Sequence, residues 1–330
     1  MEPVAMSVNS NYAGIDSTWV NRKYHPLVDN FKFNLHAFIR NRAGVAGAII
    51  TAFFYFFTIL DYIYPAYLGV PNDQTIYQFA STYGGLGIVS NPTAPGLMHG
   101  WQYLLGATEF NIPLLPVMLG ALKYDLTNAT FVVLVSSSIG IVVGVFSGYI
   151  GGVLDEIIMR ITDIFLSLPL IVFALVVTVA LGDSVNDFVY ALIVVMWPFY
   201  ARITRSVALS TKNLNFVEAA RASGSGTVRN AFVHVLPNSL PPALIQMSLD
   251  LGTVVLLYTT LFFLNSFFLN GLVFAPELGN LIAVGSANGY LFTGVWWAFF
   301  FPGLFLLFFI VGTNLLGDGL RDLFDPSLRS

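Results

Sequence analysis

The sequence contains no cysteine, which excludes disulfides and thiolate metal sites. Only 10% of its 330 residues are charged, and the 14 basic and 18 acidic residues form no concentrated basic stretch of the kind that binds nucleic acid. The four histidines lie without metal-ligand spacing, and no nucleophile motif such as Gly-x-Ser-x-Gly occurs. We therefore expect no nucleic-acid partner, no metal site and no catalytic residue in this chain.

Apolar residues, in contrast, make up 56% of the chain, and phenylalanine alone occupies 30 positions. A soluble domain of this length needs a polar surface, whereas a chain in contact with lipid can be apolar outside as well as inside. The composition therefore predicts an integral membrane protein. The polar stretch up to about Asn30 lacks the basic and then apolar layout of a cleavable signal peptide, so we expect the first hydrophobic run to remain in the mature protein.

Several stretches are long and apolar enough to cross a membrane. A helix needs about 20 mostly apolar residues to span the hydrocarbon with its backbone hydrogen bonds satisfied. The stretches that meet this criterion are residues 43–66, 129–152, 163–182, 187–205, 240–265 and 291–316. The sequence therefore predicts an all-α protein with six transmembrane helices.

The basic residues predict the orientation of the chain. If the N-terminus is cytoplasmic, thirteen of the fourteen lysines and arginines fall on the cytoplasmic side and only Lys123 falls on the other. Both termini are then cytoplasmic. The predicted segments are an N-terminal tail (1–42), a first span (43–66), an extracytoplasmic segment (67–128), a five-helix core (129–318) and a C-terminal tail (319–330). Asn128 begins a glycosylation sequon on the outer side, a triplet that often arises by chance.

Four glycines recur at a spacing of four in the second predicted span: Gly140, Gly144, Gly148 and Gly152. Residues at this spacing lie along one face of a helix, where the backbone of another helix can approach closely. The row predicts tight structural packing. A sliding contact during a conformational cycle is the alternative interpretation.

The predicted cytoplasmic loop 206–239 is long for a connection between packed helices, and such loops are often functional. Asn215 followed by Glu218 is typical of an N-cap with its reciprocal acidic partner, and Gly224 is suited to end a helix. We therefore predict a short helix over 216–223 that needs a partner surface, with Phe216 as its apolar anchor. A surface helix that lies against the protein's own membrane face is the alternative. A second helix is expected over 227–236, after which three prolines should turn the chain back into the membrane: Pro237, Pro241 and Pro242.

Ionisable residues within or beside the spans are further candidates. Asp250 lies in the fifth predicted span, where a carboxylate is costly unless it faces water or a partner. It is a candidate for a translocation path, and a hydrogen-bonded structural role at a subunit interface is the alternative. Asp155, Glu156, Arg160 and Asp163 lie at the cytoplasmic edge of the core, where we expect solvated ion pairs that stabilise little.

Several blocks resemble, in order and spacing, the permease subunits of ABC importers in the form used by the dipeptide and oligopeptide branch. Glu218-Ala219-Ala220, Gly224 and His234-Val235-Leu236-Pro237-Asn238 have the spacing of the EAA loop of that family. The other blocks are "GYIGGVLDEIIMRITDIFLSLP" (148–169), "WPFYARITR" (197–205) and "FPGLFLLFFIVGTNLLGDGLRDLFDPSLR" (301–329). Together they cover most of residues 130–329, and by them the chain is identified as a member of this family.

The sequence departs from the family pattern in two places. The Gly-Thr-Asp and Gly-Arg-Asp pattern before the second span is only approximated by "GATEFNIPLLPVMLGALKYDL" (106–126). In the fifth span, "LYTTLFFLNSF" (257–267) has Tyr258 where relatives commonly have glutamate. Tyr258 is a second candidate for the translocation path, but no role of that glutamate carries over to it.

The resemblance implies a type I importer permease with an extracytoplasmic insertion after the first span. It implies that the chain forms half of a translocation path for dipeptides or oligopeptides, beside a second homologous permease subunit, two ATP-binding subunits and an extracytoplasmic binding protein. ATP and magnesium would be used by the ATPase partners, since this chain has no Gly-x-x-x-x-Gly-Lys-Ser/Thr motif and is not expected to be an enzyme. The residues that would couple to the ATPase are Phe216, Glu218, Ala219, Ala220, Arg221 and Gly224.

Other functions remain open on the sequence. The same machinery can carry oligosaccharides, nickel or another small solute in this group of transporters. An ion-coupled secondary transporter should show two related halves with interrupted spans, and no such repeat is visible. A membrane receptor or scaffold would not explain a long loop with this spacing between two spans.

Overall fold

The structure, a computed structural model, describes seven stretches of the chain: residues 38–63, 93–98, 100–108, 112–182, 184–268, 277–287 and 294–324. Ten α-helices are defined in these stretches. They are α1 (Arg42–Ile63), α2 (Leu114–Ile150), α3 (Gly152–Ser167), α4 (Leu170–Leu181), α5 (Val185–Thr211), α6 (Asn215–Ala222), α7 (Thr227–Asn230), α8 (Leu236–Phe268), α9 (Leu278–Ala287) and α10 (Trp297–Phe324). The described stretches contain no strand beyond one isolated bridge, Ala107 with Pro113, which confirms the predicted all-α class.

Five helical segments are long and apolar enough to cross a membrane: α1, α2, α5, the segment from Thr227 to Asn265, and α10. The third predicted span, 163–182, is not one straight helix. It falls across α3 and α4, which meet at an angle of 96° and make a sixth crossing only if they count together as one bent span. The bend has a local cause, because Pro169 keeps Leu168 in an extended conformation (φ −89°, ψ 142°) and so ends α3.

The second helix begins at Leu114, well before residue 129, where the span was predicted to start. The predicted outer segment 67–128 therefore includes more than three turns of α2. The polar residues that made this stretch look unsuitable for a buried helix are paired, with the Lys123 ammonium 3.5 Å from Asp61 of α1 and 4.5 Å from the Tyr62 ring centroid. At the other end of the chain, α10 extends to Phe324, eight residues beyond the predicted span limit of 316.

Some predictions lie largely outside the described residues. These are the N-terminal tail before residue 38, the outer segment between 64 and 92, and the last six residues. The Asn128 sequon is described, and it lies inside α2, where the Asn128 side-chain amide donates to the Tyr258 hydroxyl at 2.8 Å. A sequon in a packed helix is not the exposed loop that glycosylation requires.

The glycines of α2 lie against α5. A Cβ atom on Gly140 would come within 2.5 Å of the Trp197 carbonyl oxygen, and one on Gly148 within 2.7 Å of the Arg205 carbonyl oxygen. Gly144 lies between them against Ala201 and Thr204. Gly152 does not belong to this row, contrary to the prediction. α2 ends at Ile150, and Gly152 begins α3 with φ 65° and has no packing neighbour within 4 Å of its Cβ position in the part of the chain that the structure describes.

α1 packs against α10 in a similar way. A Cβ on Gly44 would lie 2.8 Å from the Gly319 Cα, so the two backbones touch. Farther along, the rings of Phe54 and Phe309 meet edge to face at 5.3 Å. The main hydrophobic core lies where α2, α5, α8 and α10 converge, and the fully buried rings of Phe188 and Phe262 stack there at 4.2 Å.

Candidate functional site

The short helix of the loop is α6, and it begins one residue earlier than predicted. The predicted Asn215–Glu218 capping box is absent, since Asn215 is already helical and Leu214 occupies the N-cap in an extended conformation. The Leu214 carbonyl accepts the amides of Val217 at 2.9 Å and Glu218 at 3.2 Å, which sets the first turn. The helix contains eight residues, few enough that it depends on tertiary contacts for stability.

The far end of α6 is closed by a Schellman turn. Gly224 has φ 82°, and its amide donates to the Arg221 carbonyl at 2.9 Å, while the Ser225 amide donates to the Ala220 carbonyl at 3.1 Å. A residue with a Cβ would be strained in this left-handed conformation. The turn therefore sets where α6 stops and where α7 starts.

α6 is attached to the bundle through Val217, which is fully buried. Its side chain belongs to a small apolar cluster with residues from the ends of α2 and α5 and from the start of the following helix: Ile141, Val145, Tyr149, Ala208, Ala231, Val235 and Ala243. The sequence analysis named Phe216 as the anchor toward a partner surface, which stays a prediction, and it did not identify Val217 as the contact with the bundle. Phe216 remains 45% exposed, with its ring centroid 6.3 Å from that of His234.

A second attachment is the contact between Arg221 and Tyr149. The Arg221 Nε donates to the Tyr149 hydroxyl at 3.1 Å, and the guanidinium carbon lies 4.9 Å from the centre of the tyrosine ring. Beside it, the Lys212 ammonium donates to the Gly148 carbonyl at 2.9 Å, a favourable place for a cation at the C-terminal end of α2. Glu218 and Ala219, in contrast, are exposed on the outer face of α6.

Asp155 is not the solvated ion-pair partner that the sequence predicted. Its carboxylate accepts hydrogen bonds from Nε and Nη2 of Arg205, each at 2.6 Å, and a third from the hydroxyl of Ser147. The Asp155 side chain is 13% exposed and that of Arg205 is 30% exposed, so this is a largely buried bidentate pair that holds α3 against α5. The pair of Glu156 with Arg160 does fit the prediction, at 3.7 Å between exposed side chains.

The three prolines that were predicted to turn the chain do not interrupt the helix. They lie inside one helical run that extends from α7 into α8: Pro237, Pro241 and Pro242. Proline removes an amide donor and its ring presses on the carbonyl four residues earlier, which normally breaks a helix. Here a π-helical turn, Ala231–Val235, precedes the prolines and loosens the spacing. The side chains of Asn238 and Ser239 donate to the His234 and Val235 carbonyls at 2.6 and 3.0 Å.

Asp250 lies between α8 and α5 and is only 5% exposed. Gln246 donates to its Oδ1 at 2.8 Å, and the fully buried Tyr200 of α5 faces the same carboxylate. Tyr258, about two turns farther along α8, is also fully buried. Both residues are thus inside a single subunit, and their role in a translocation path stays a prediction.

The described residues contain no group of three or more histidine, aspartate or glutamate side chains placed to hold a metal ion. The site that the sequence singled out is a helix held on its inner face by Val217 and Arg221 and open on the face that carries Glu218.

Residues 140–330 match the family described as the binding-protein-dependent transport system inner membrane component. The chain is 34% identical over 227 residues to the dipeptide transport system permease protein of Haemophilus influenzae, covering 69% of this chain and 75% of that protein. It is 37% identical over 221 residues to the probable D,D-dipeptide transport system permease protein of Escherichia coli, covering 67% and 72%. It is 31% identical over 228 residues to the nickel transport system permease protein of Escherichia coli, covering 69% and 80%.

The family match spans more than half of the chain and includes α5, α6 and the apolar helices that follow. It confirms the resemblance drawn from the EAA-type loop and the type I permease fold that the resemblance implied. Together with the five apolar helical segments, it makes the chain a multi-pass membrane protein. The chain belongs to the family of inner membrane components of binding-protein-dependent transport systems, the permeases of ABC importers.

Proposed function

We propose that this chain is one of two homologous permease subunits of an ATP-driven importer, and that its cargo is dipeptides or oligopeptides. Two of the relatives above are described as dipeptide and D,D-dipeptide permeases, which supports this cargo. An extracytoplasmic binding protein delivers the peptide. Two ATP-binding subunits bind ATP and magnesium, and this chain is not itself an enzyme.

The single observation that carries this proposal is the two-faced geometry of α6. Its inner face is fixed by the buried Val217 and by the bond from Arg221 to Tyr149. Its outer face presents Glu218 and Ala219 to solvent with no bulky side chain between them. A helix of this kind fits a cleft on a partner, where small residues allow close approach and a charge sets orientation.

The packing behind α6 supports transmission of movement. Arg221 ties α6 to the end of α2, and the glycines of α2 lie in direct contact with the backbone of α5. Cores packed this closely do not deform continuously, so α2 and α5 move as one body. When the ATP-binding subunits close, they draw α6 with them and rotate α2 and α5 between inward-open and outward-open arrangements.

The proposed orientation places α6, both chain termini and the N-terminal end of α1 in the cytoplasm. It is supported by the asymmetry of the basic residues, thirteen of which fall on that side. α6 then faces the compartment that holds ATP, as the proposed coupling requires.

Glu218→Lys is expected to abolish peptide-stimulated ATP hydrolysis while the chain still folds. Glu218 is exposed among the described residues, so the variant should fold. Lysine at this position would place a positive charge against the partner surface that is proposed to accommodate the carboxylate. ATP hydrolysis and labelled-peptide uptake would be measured in proteoliposomes containing the co-purified subunits. Asp318→Lys, the same charge change at an exposed site in α10, is the control and should retain both activities. Full uptake by Glu218→Lys would contradict the proposal.

Tyr149→Phe is expected to loosen α6 without disturbing the apolar cluster beneath it. The change removes the hydroxyl that accepts from Arg221 but keeps the ring, and the loss of such a bond costs about 1 kcal/mol, roughly fivefold in the docking of α6. Uptake per ATP hydrolysed should fall, because hydrolysis then moves α6 without moving α2. Tyr190→Phe, at an exposed tyrosine of α5, is the matched control. An unchanged ratio of uptake to hydrolysis in Tyr149→Phe would exclude this role for Arg221.

Nickel is a second candidate cargo, favoured by the similarity to the nickel permease. The two cargoes are distinguished by isolating the binding protein encoded beside this chain and identifying its bound ligand by mass spectrometry and metal analysis. Uptake of a labelled dipeptide and of radioactive nickel by the reconstituted complex gives the second comparison. A peptide-free, nickel-loaded binding protein together with nickel uptake would overturn the peptide proposal.

A further inference from the structure

Two buried carboxylates meet at the N-terminus of α9, at the end of the bundle opposite α6. Glu277 caps this helix, with Oε1 accepting from the Gly279 amide and Oε2 from the Asn280 amide, both at 2.9 Å. Asp125, from α2, accepts the Leu278 amide on Oδ2 at 3.3 Å. Both side chains are fully buried. Residues 152 positions apart in sequence therefore share one helix N-terminus without contact with water.

The two carboxylates lack a cationic partner among the described residues. The ionisable group that faces them is the hydroxyl of Tyr258 from α8, which in turn faces Tyr124 of α2. The nearest cation in sequence, Lys123, is already paired with Asp61. α9 has no ionisable side chain, and α10 has none before Asp318. The favourable electrostatics of the site thus come from the amides of one helix terminus.

One atom of this cluster is unsatisfied. Oδ1 of Asp125 is buried and receives no hydrogen bond from the described residues. A buried carboxylate oxygen without a hydrogen-bond donor destabilises the fold. A proton shared between the two carboxyl groups would give Oδ1 of Asp125 a hydrogen-bond partner. Two like charges in a water-free site also oppose each other, so both groups cannot be ionised at low cost. In agreement, burial raises the pKa of Glu277 to about 8, although its two amide bonds act in the opposite direction.

We propose that Asp125 and Glu277 bind one proton between them and that this proton holds the N-terminus of α9 against α2. With the proton bound, a single negative charge faces the α9 amides. Without it, two charges face each other and the contact between α9 and α2 weakens. A raised carboxyl pKa means that this stabilisation is complete below the usual pKa of glutamate, about 4.3, and is lost as the pH rises to about 8.

Hydrogen exchange of the α9 amides tests the proposal in the full chain, reconstituted in lipid nanodiscs with its co-purifying subunits. Protection factors for residues 278–287, corrected for the intrinsic pH dependence of exchange, are measured between pH 5 and 9. In the wild type they should fall up to about tenfold per pH unit, the slope for one released proton, and level off above about pH 8. A pH-independent wild-type protection factor would overturn the proposal.

Two variants and one control complete the test. Asp125→Asn supplies a permanent N–H where the proton is proposed, so protection should stay within about twofold over the whole range. Glu277→Gln should also lose the slope, but at lower protection throughout, because its side-chain NH2 cannot accept from one of the two α9 amides that Glu277 caps. Glu156→Gln, at an exposed carboxylate of α3, should keep the wild-type slope. Retention of the slope in both variants would place the titrating group elsewhere. If the protection factors instead change with sodium concentration at fixed pH, a metal cation and not a proton occupies the site, which would overturn the proposal.

Discussion

Gly144→Ala should lower the stability of this protein by about 1 to 3 kcal/mol, the usual cost of forcing extra atoms into a packed interface. A Cβ at this position would overlap the Ala201 carbonyl oxygen and the Thr204 hydroxyl of α5, and would lie 3.0 Å from the Ala201 carbonyl carbon. Backbone atoms cannot turn aside as a flexible side chain can, so α2 and α5 must separate. The melting temperature in detergent, followed by loss of the monodisperse chromatographic peak, measures the effect.

Gly303→Ala is the matched control, since Gly303 lies within α10 and no other part of the described chain comes within 4 Å of its Cβ position, apart from its own helix backbone. Alanine there should be neutral or stabilising, because glycine in a helix interior is less favourable than alanine by about 0.5 to 1 kcal/mol. Equal melting temperatures for the two variants would show that the contact between α2 and α5 tolerates separation.

Arg205→Ala should also destabilise the protein strongly. It leaves the Asp155 carboxylate, 13% exposed, with Ser147 as its remaining hydrogen-bond donor. Breaking a fully buried ion pair costs about 3 to 5 kcal/mol. We expect about 2 to 3 kcal/mol here, because solvent reaches part of the arginine side chain. α3 should then detach from α5, and limited proteolysis around residues 152–167 should accelerate together with a lower melting temperature.

Arg160→Ala tests whether the effect depends on burial. Its pair with Glu156 is exposed on both sides, at 75% and 69%, so the loss should be below about 0.5 kcal/mol. A double-mutant cycle with Asp155→Ala isolates the coupling between Asp155 and Arg205 from the loss of packing. A coupling free energy near zero would mean that the two side chains are paired without stabilising the fold.

The sequence was informative where a single physical requirement dominates. The hydrocarbon core of a membrane demands about 20 apolar residues in a helix, and this requirement predicted the apolar regions of α1, α5, α8 and α10. It was less informative for α2, where the polar residues near Lys123 masked the start of the helix. Their pairing with α1, which lies more than fifty residues away, cannot be read from the local pattern.

In the loop, too, some positions could be predicted from the sequence and others could not. A positive φ favours glycine, so the end of α6 at Gly224 was readable from the sequence. The start of α6 was placed one residue late, because the extended conformation of Leu214 is set by tertiary packing and not by a capping side chain. The prolines of α8 misled the prediction, since they lie inside a continuous helical run that a π-helical turn precedes.

By itself, the sequence determined that this protein lies in a membrane, that its helices are bundled, and that a charged loop with the spacing of the EAA motif interrupts them. Those properties depend on composition and on local conformational preference. Only the tertiary structure decided that Val217 anchors α6, that Asp155 is buried with Arg205, and that Asp125 meets Glu277. The reason is physical. Burial and the pairing of charges depend on which distant segments come into contact, and such contacts produce no periodic pattern in the local sequence.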